Sequence, residues 1–167
     1  MKRNLLFTLS LLATVLIVVA CTSAPNRTHP ESRDLPQYSS LEYSDKGQFI
    51  VQLAHSLIGT PYRYGGSTPE QGFDCSGLVF FTHINAGDKI PRSSFAQLDA
   101  SKPIDIEELQ PGDLLFYRIN SKPSHVGIYI GDKMFIHAPS SGKKVSVASM
   151  DNPYFKPRLI RAGRLYR

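Results

Sequence analysis

The chain has 167 residues, 41% of them hydrophobic, with 19 Lys and Arg against 14 Asp and Glu and a formal net charge of +5. That length accommodates one domain of ordinary size around a single core. The charge is mild and forms no basic stripe interleaved with aromatics, which argues against nucleic acid as a partner.

The first element reads as a targeting segment ahead of the domain. Met1-Lys2-Arg3 supplies a positive start, an uncharged stretch follows from Leu5 to Ala20, and Val18-Val19-Ala20-Cys21 ends it with a small residue before a cysteine. The apolar run is shorter than the roughly 20 residues a spanning helix needs. It resembles a bacterial lipoprotein signal, which implies a signal peptide over residues 1–20, cleavage before Cys21, and acylation of the Cys21 sulfur and amino group; an uncleaved anchor is the alternative. Thr22 is not the Asp that holds such proteins at the inner membrane. The resemblance therefore implies a lipoprotein of the outer membrane facing the periplasm, with the inner membrane second. Residues 21–43 are polar and punctuated by Pro25, Pro30 and Pro36, too poor in large apolar side chains to close a core. They read as a lipidated flexible tether with a reach of roughly 25 Å. Residues 44–167 are left as the domain, expected to act as a monomer.

Within it, Ser44 or Asp45 can cap a helix whose apolar positions Phe49, Ile50, Leu53, Leu57 and Ile58 keep a helical period, with Gly59 as the stop. A loop runs from Thr60 to Asp74. A second helix starts at Cys75 or one residue earlier, buries Leu78, Val79, Phe81 and Ile84, and ends at Gly87; a third covers Ser93 to Ala100. The period then changes to two. Residues 113–118, 126–130, 133–137, 143–148 and 159–166 read as antiparallel strands, separated by turn signals such as Pro111-Gly112 and Gly131-Asp132. Helices followed by strands predict an α+β fold, with N-terminal helices packed on an antiparallel sheet of about five strands. Arg158, Arg161, Arg164 and Arg167 near the C-terminus read as a solvated edge.

Cysteine usage points to chemistry. With Cys21 consumed by lipid, Cys75 has no intramolecular partner in a compartment where disulfides persist. A lone thiol there invites oxidation unless it is used. The thiolate is the attacking species, and the first turn of a helix lowers a thiol pKa through unpaired N–H groups and the positive dipole end. Asp74 reads either as the N-cap of that helix or as a substrate contact. Ser76 and Gly77 are small enough to let a substrate backbone come close.

Strand parity supplies partners for the thiol. A three-residue loop from Gly131 to Lys133 pairs Ile130 with Met134, Ile128 with Ile136 and Val126 with Ala138, making one sheet face wholly apolar. The opposite face then carries His125, Gly127, Tyr129, Phe135 and His137. In that placement His125 is the base for Cys75, and His137 orients its ring through the other nitrogen. His29, His55 and His83 have no such company and read as bystanders.

These residues resemble the NlpC/P60 family of cell-wall cysteine peptidases, a compact papain-like fold. The matching motifs are Gly59-Thr60-Pro61-Tyr62-Arg63-Tyr64-Gly65-Gly66, Phe73-Asp74-Cys75-Ser76-Gly77-Leu78-Val79, Leu109-Gln110-Pro111-Gly112-Asp113-Leu114-Leu115-Phe116, Ser124-His125-Val126-Gly127-Ile128-Tyr129 and Phe135-Ile136-His137-Ala138. The resemblance implies a triad of Cys75, His125 and His137, and a Tyr62 hydroxyl that helps the Cys75 backbone N–H stabilise an oxyanion. It implies hydrolysis of an amide bond in peptidoglycan stem peptides through an acyl-enzyme, at the γ-D-glutamyl or the D-alanyl bond to diaminopimelate, with no cofactor and no metal. Three rival readings stand beside it. One is a non-catalytic peptidoglycan-binding lipoprotein. Another is a thiol acyltransferase on the same scaffold. The last is a zinc site built from Cys75, His125 and His137, which lacks the close-spaced ligand pairs typical of such sites.

Overall fold

The computed structural model describes residues 43–119, 121–140 and 142–167. The leader, Cys21, His29 and the expected tether up to residue 42 lie outside them. Tyr43 does not belong to a tether: it opens helix α1 (Tyr43–Ser56), one or two residues ahead of the expected caps. Ile50, Val51 and Ala54 bury one side of α1, and Leu57 continues that stripe past its end, where Gly59 takes the positive φ that stops a helix.

The long loop holds a small hairpin of its own, β1 (Ser67–Thr68) with β2 (Gly72–Phe73). It delivers the chain to α2 (Cys75–Asn85), whose N-cap is Asp74. Then come α3 (Ser94–Ala100), capped by the Ser93 hydroxyl, and β3 (Lys102–Ile104). A 3₁₀ turn at Ile106–Glu108 leads to β4 (Leu114–Ile119), β5 (Lys122–Gly131), β6 (Met134–His137) and β7 (Ser146–Ser149). A second 3₁₀ turn, Lys156–Arg158, precedes β8 (Leu159–Arg164). The fold is α+β, and its sheet is antiparallel with order β3-β8-β4-β5-β6-β7.

There are six strands where about five are expected. The extra one, β3, is three residues long and contains Pro103, so it carries neither alternation nor a full set of donors. It survives because it lies at a sheet edge, where a missing N–H is tolerated. The β5–β6 connection also differs from expectation. Ile128 does face Ile136, but Met134 faces Gly131, so Ile130 is bulged out of the ladder. The turn is then two residues, Asp132 and Lys133, both at positive φ (49° and 58°), the combination that matches the strands' twist. The extra bulged residue preserves the parity that a three-residue loop would have given.

Both sheet faces are apolar. Leu114, Phe116, Val126, Ile128, Ile136 and Ala138 meet α1 and α2 in the main core. Leu115, Tyr117, Phe135 and Ala162 form a smaller cluster on the other side with Met150 and Phe155. Ile84, expected inside, is exposed, whereas His83 is wholly buried, so α2 is rotated from the stripe its apolar residues suggest.

The C-terminal arginines are not a uniform solvated edge. Arg164 clasps the fully buried Asp113 with two nitrogens, Nη2 to Oδ2 at 2.6 Å, and Arg161 donates to the carbonyls of Leu98 and Ser101. These guanidinium groups tie β8 to the start of β4 and to the end of α3. No helix among the described residues is long and apolar enough to cross a membrane.

Candidate active site

The nucleophile candidate is placed by a helix start under heavy constraint. Asp74 Oδ1 accepts from the Gly77 amide at 2.6 Å, from Ser76 Oγ at 3.1 Å and from Arg92 Nη1 at 2.9 Å, while Oδ2 accepts from the Gly65 amide at 2.9 Å and Arg92 Nη2 at 3.0 Å. Burial by itself would raise the Asp74 carboxyl, but the Arg92 guanidinium and the two amides outweigh it and hold it below its ordinary value. The carboxylate is thus an N-cap and a tie between loop and helix. Arg92 also reaches Ser76 Oγ (2.9 Å) and Gly66 O (3.0 Å). Gly77 packs so tightly on Gly66 that a Cβ there would stand 2.0 Å from the Gly66 carbonyl oxygen. Ser76 and Gly77 therefore face the supporting loop and Arg92.

Cys75 is a free thiol, half-buried at the first position of α2. Its Sγ donates to Ser124 O at 3.7 Å, and the Val126 amide also faces the sulfur. The thiol thus lies on the β5 backbone at the two residues that flank His125. Burial pushes the Cys75 thiol above its ordinary value and the Asp74 charge adds to that, while the amides of Val126, Ser76 and Cys75 itself oppose it. The helix start does favour the thiolate, but in this structure burial exceeds it.

His125 and His137, on adjacent strands, meet edge to face, with His125 Nε2 and His137 Nδ1 2.8 Å apart. That contact engages Nε2, so Nδ1 is the His125 nitrogen turned away from His137. Among the described residues the Cys75 thiol donates to Ser124 O and not to the His125 ring. Phe155 stacks on His125 at 6.1 Å between centroids and meets His137 at a right angle. Burial, then the neighbouring His137, lowers His125 to about 3; burial, then the Lys143 charge, lowers His137 to about 4. Both rings are consequently neutral at neutral pH, the form that accepts a proton. Because the two imidazoles share one hydrogen between Nε2 and Nδ1, those atoms cannot both offer lone pairs to a zinc ion.

Tyr62 is held by its amide, which donates to Lys143 O at 2.8 Å, and packs beside Cys75 against the main core. Burial and the nearby Cys75 and Asp74 raise its phenol. The hydroxyl therefore stays protonated, a donor, at neutral pH.

The structure thus joins Asp74 with Ser76, and His125 with His137, and sets Cys75 near Tyr62 and against the β5 backbone on either side of His125. Reading the sequence missed Arg92, Gln97 and Phe155. Gln97 Nε2 donates to Ser76 O and Pro91 O, a second clamp on the same helix start. Neither clamp leaves a trace in residue spacing, since both partners come from α3 or its approach. His83 is buried with Nδ1 2.9 Å from Val79 O, so it is a structural residue of α2.

The description of the NlpC/P60 family matches residues 59–164. A probable endopeptidase of Mycobacterium tuberculosis (strain ATCC 25618 / H37Rv) is 45% identical over 104 residues, which are 62% of this chain and 26% of that one. The chain thus spans about a quarter of the length of such relatives. The murein DD-endopeptidase MepS/murein LD-carboxypeptidase of Escherichia coli (strain K12) is 35% identical over 179 residues, covering 98% of this chain and 94% of its own. Among solved structures, an NLP/P60 family protein from Staphylococcus aureus subsp. aureus Mu50, described as similar to lipoprotein, superimposes with a TM-score of 0.68 at 34% identity, over 77% of this chain and 44% of that one. The NlpC/p60 domain of the peptidoglycan hydrolase SagA gives 0.62 at 35%, over 71% and 97%.

Proposed function

The chain belongs to the NlpC/P60 family, and from that premise we propose that it is a cysteine endopeptidase hydrolysing amide bonds in peptidoglycan stem peptides. The observation that carries the reading is the Cys75 thiol resting on Ser124 O, one residue from a neutral, hydrogen-bonded imidazole pair. Of the two bonds open to it, the D-alanyl link to diaminopimelate is preferred, because the relative of nearly equal length bears the name murein DD-endopeptidase beside that of murein LD-carboxypeptidase.

In this reading His125 Nδ1 takes the thiol proton as Sγ attacks the scissile carbonyl. The Cys75 N–H and the Tyr62 hydroxyl donate to the resulting oxyanion. His125, now protonated and held by His137, delivers the proton to the leaving amine and leaves an acyl thioester on Cys75. Water, deprotonated by His125, then attacks the thioester, releasing the carboxylic acid and restoring the thiol. The protein works as a monomer, tethered through lipid on Cys21 to the periplasmic face of the outer membrane.

The test is digestion of defined muropeptides by the purified full chain, read by mass. Cleavage with uptake of one water is expected for the native chain and no product for Cys75→Ala, while His125→Ala should lose about three powers of ten. Wall binding with no Cys75-dependent product would replace the enzyme by a binding protein. A product carrying an added amine would replace it by an acyltransferase.

A further inference from the structure

Beside the imidazole pair lies a cavity of about 580 Å³ lined by His125, His137, Lys143, Asn152 and Tyr154, among others, none of them acidic. Lys143 is exposed at its wall, and among the described residues its ammonium makes no ion pair or hydrogen bond. Asp151, next in sequence to the cavity-lining Asn152, is already held by Lys133 and Lys156. A second cation, Arg158, stacks on Tyr154 at 4.3 Å from the ring centroid. The site thus presents uncompensated positive charge next to its general base. Lys143 also belongs to both sides of the site. Its carbonyl holds the Tyr62 amide on the side of the thiol, while its charge is felt by His137 on the side of the cavity.

We propose that Lys143 is a specificity-determining residue that pairs with the substrate carboxylate borne on the same carbon as the scissile nitrogen. The inference rests on the peptidase reading and deepens it. In that reaction the leaving nitrogen must come within hydrogen-bond reach of His125 to receive its proton, so the carbon attached to that nitrogen lies one bond beyond that contact. A carboxylate on that carbon is then within reach of the cavity that His125 shares with Lys143, where Asn152 and the Tyr154 hydroxyl offer hydrogen-bond donors on the same lining. A carboxamide at the same point fits the space without the charge.

The experiment uses the full chain and two cross-linked stem-peptide dimers that differ only in whether this diaminopimelate carboxyl is free or amidated. The native chain should prefer the free acid roughly five- to tenfold in kcat/KM, the difference lying in KM, as expected for a partly exposed charge pair. Lys143→Arg should keep the preference, Lys143→Met should abolish it, and Lys143→Glu should reverse it. Because each preference is a ratio within one variant, changes in folding or in the His137 titration cancel. Equal cleavage of the two dimers by the native chain, or a preference retained in Lys143→Met, overturns the inference and leaves the peptidase intact. Absence of Cys75-dependent cleavage of either dimer overturns both.

Discussion

Cys75 and His125 start from a protonated thiol and a neutral ring, because burial raises one group and lowers the other. A thiolate–imidazolium pair formed in advance would react quickly from about pH 4 upwards. On the proposed mechanism the thiol loses its proton to His125 only as the carbonyl arrives, so the free chain should alkylate slowly at pH 5 and accelerate only in the alkaline range. Iodoacetamide labelling followed by mass across pH 4 to 10 measures this, and a fast plateau at pH 5 would show the ion pair instead. At the same scale, Arg92 supports the helix start that carries Cys75 without touching the thiol. Replacing it by Met strands the partly buried Asp74 carboxylate, with a cost of about 2–3 kcal/mol read as a lower denaturant midpoint at unchanged slope. Arg92→Lys should recover only part of this, because an ammonium cannot span both Asp74 oxygens.

The elements differ in how openly the sequence announces them. α2 and its cap could be read because Asp74-Cys75-Ser76-Gly77 combines an N-cap residue with small neighbours ahead of an apolar run. The facing of His125 and His137 could be read because burial of Val126, Ile128, Ile136 and Ala138 fixes strand parity whatever the turn. The turn itself could not: Asp132 and Lys133 at positive φ with a bulge at Ile130 give the same facing as a three-residue loop, so the hydrophobic pattern does not distinguish them. Nor could the Asp113–Arg164 and Asp74–Arg92 pairs, 51 and 18 residues apart, since periodicity describes faces and not partners. The bulge and turn carry a prediction of their own. Lys133 sits at φ 58°, so Lys133→Gly should stabilise the hairpin and Lys133→Val should destabilise the domain by about 1–2 kcal/mol, checked by thermal melts. A reversed order of melting temperatures would show that the backbone there relaxes away from the left-handed region.

Across the whole molecule, the burial that keeps the imidazole pair neutral recurs at His83, which is also lowered to about 4. All three rings therefore bind protons less readily folded than unfolded. With unfolded values near 6.5, the unfolded chain takes up more protons between pH 6.5 and about 4, so stability is complete above that window and falls as the pH drops through it. The carboxylates Asp74 and Asp151, held low, act only near and below pH 4 and do not offset the loss. For His83 alone, the difference at pH 5 is about 2 kcal/mol. His125 and His137 add to it, less than independently because they share a hydrogen bond. Melting temperature should therefore fall by well over 5 °C between pH 7 and pH 5, and His83→Gln, lower at pH 7, should show a shallower fall. On the proposed mechanism the site and the fold meet the same acid limit: activity should disappear where the domain unfolds and not at the ordinary histidine pKa. Melts and initial rates taken on one set of buffers compare the two midpoints directly, and a rate that halves near pH 6.5 while the domain remains folded would mean that His125 is charged more readily than its burial allows.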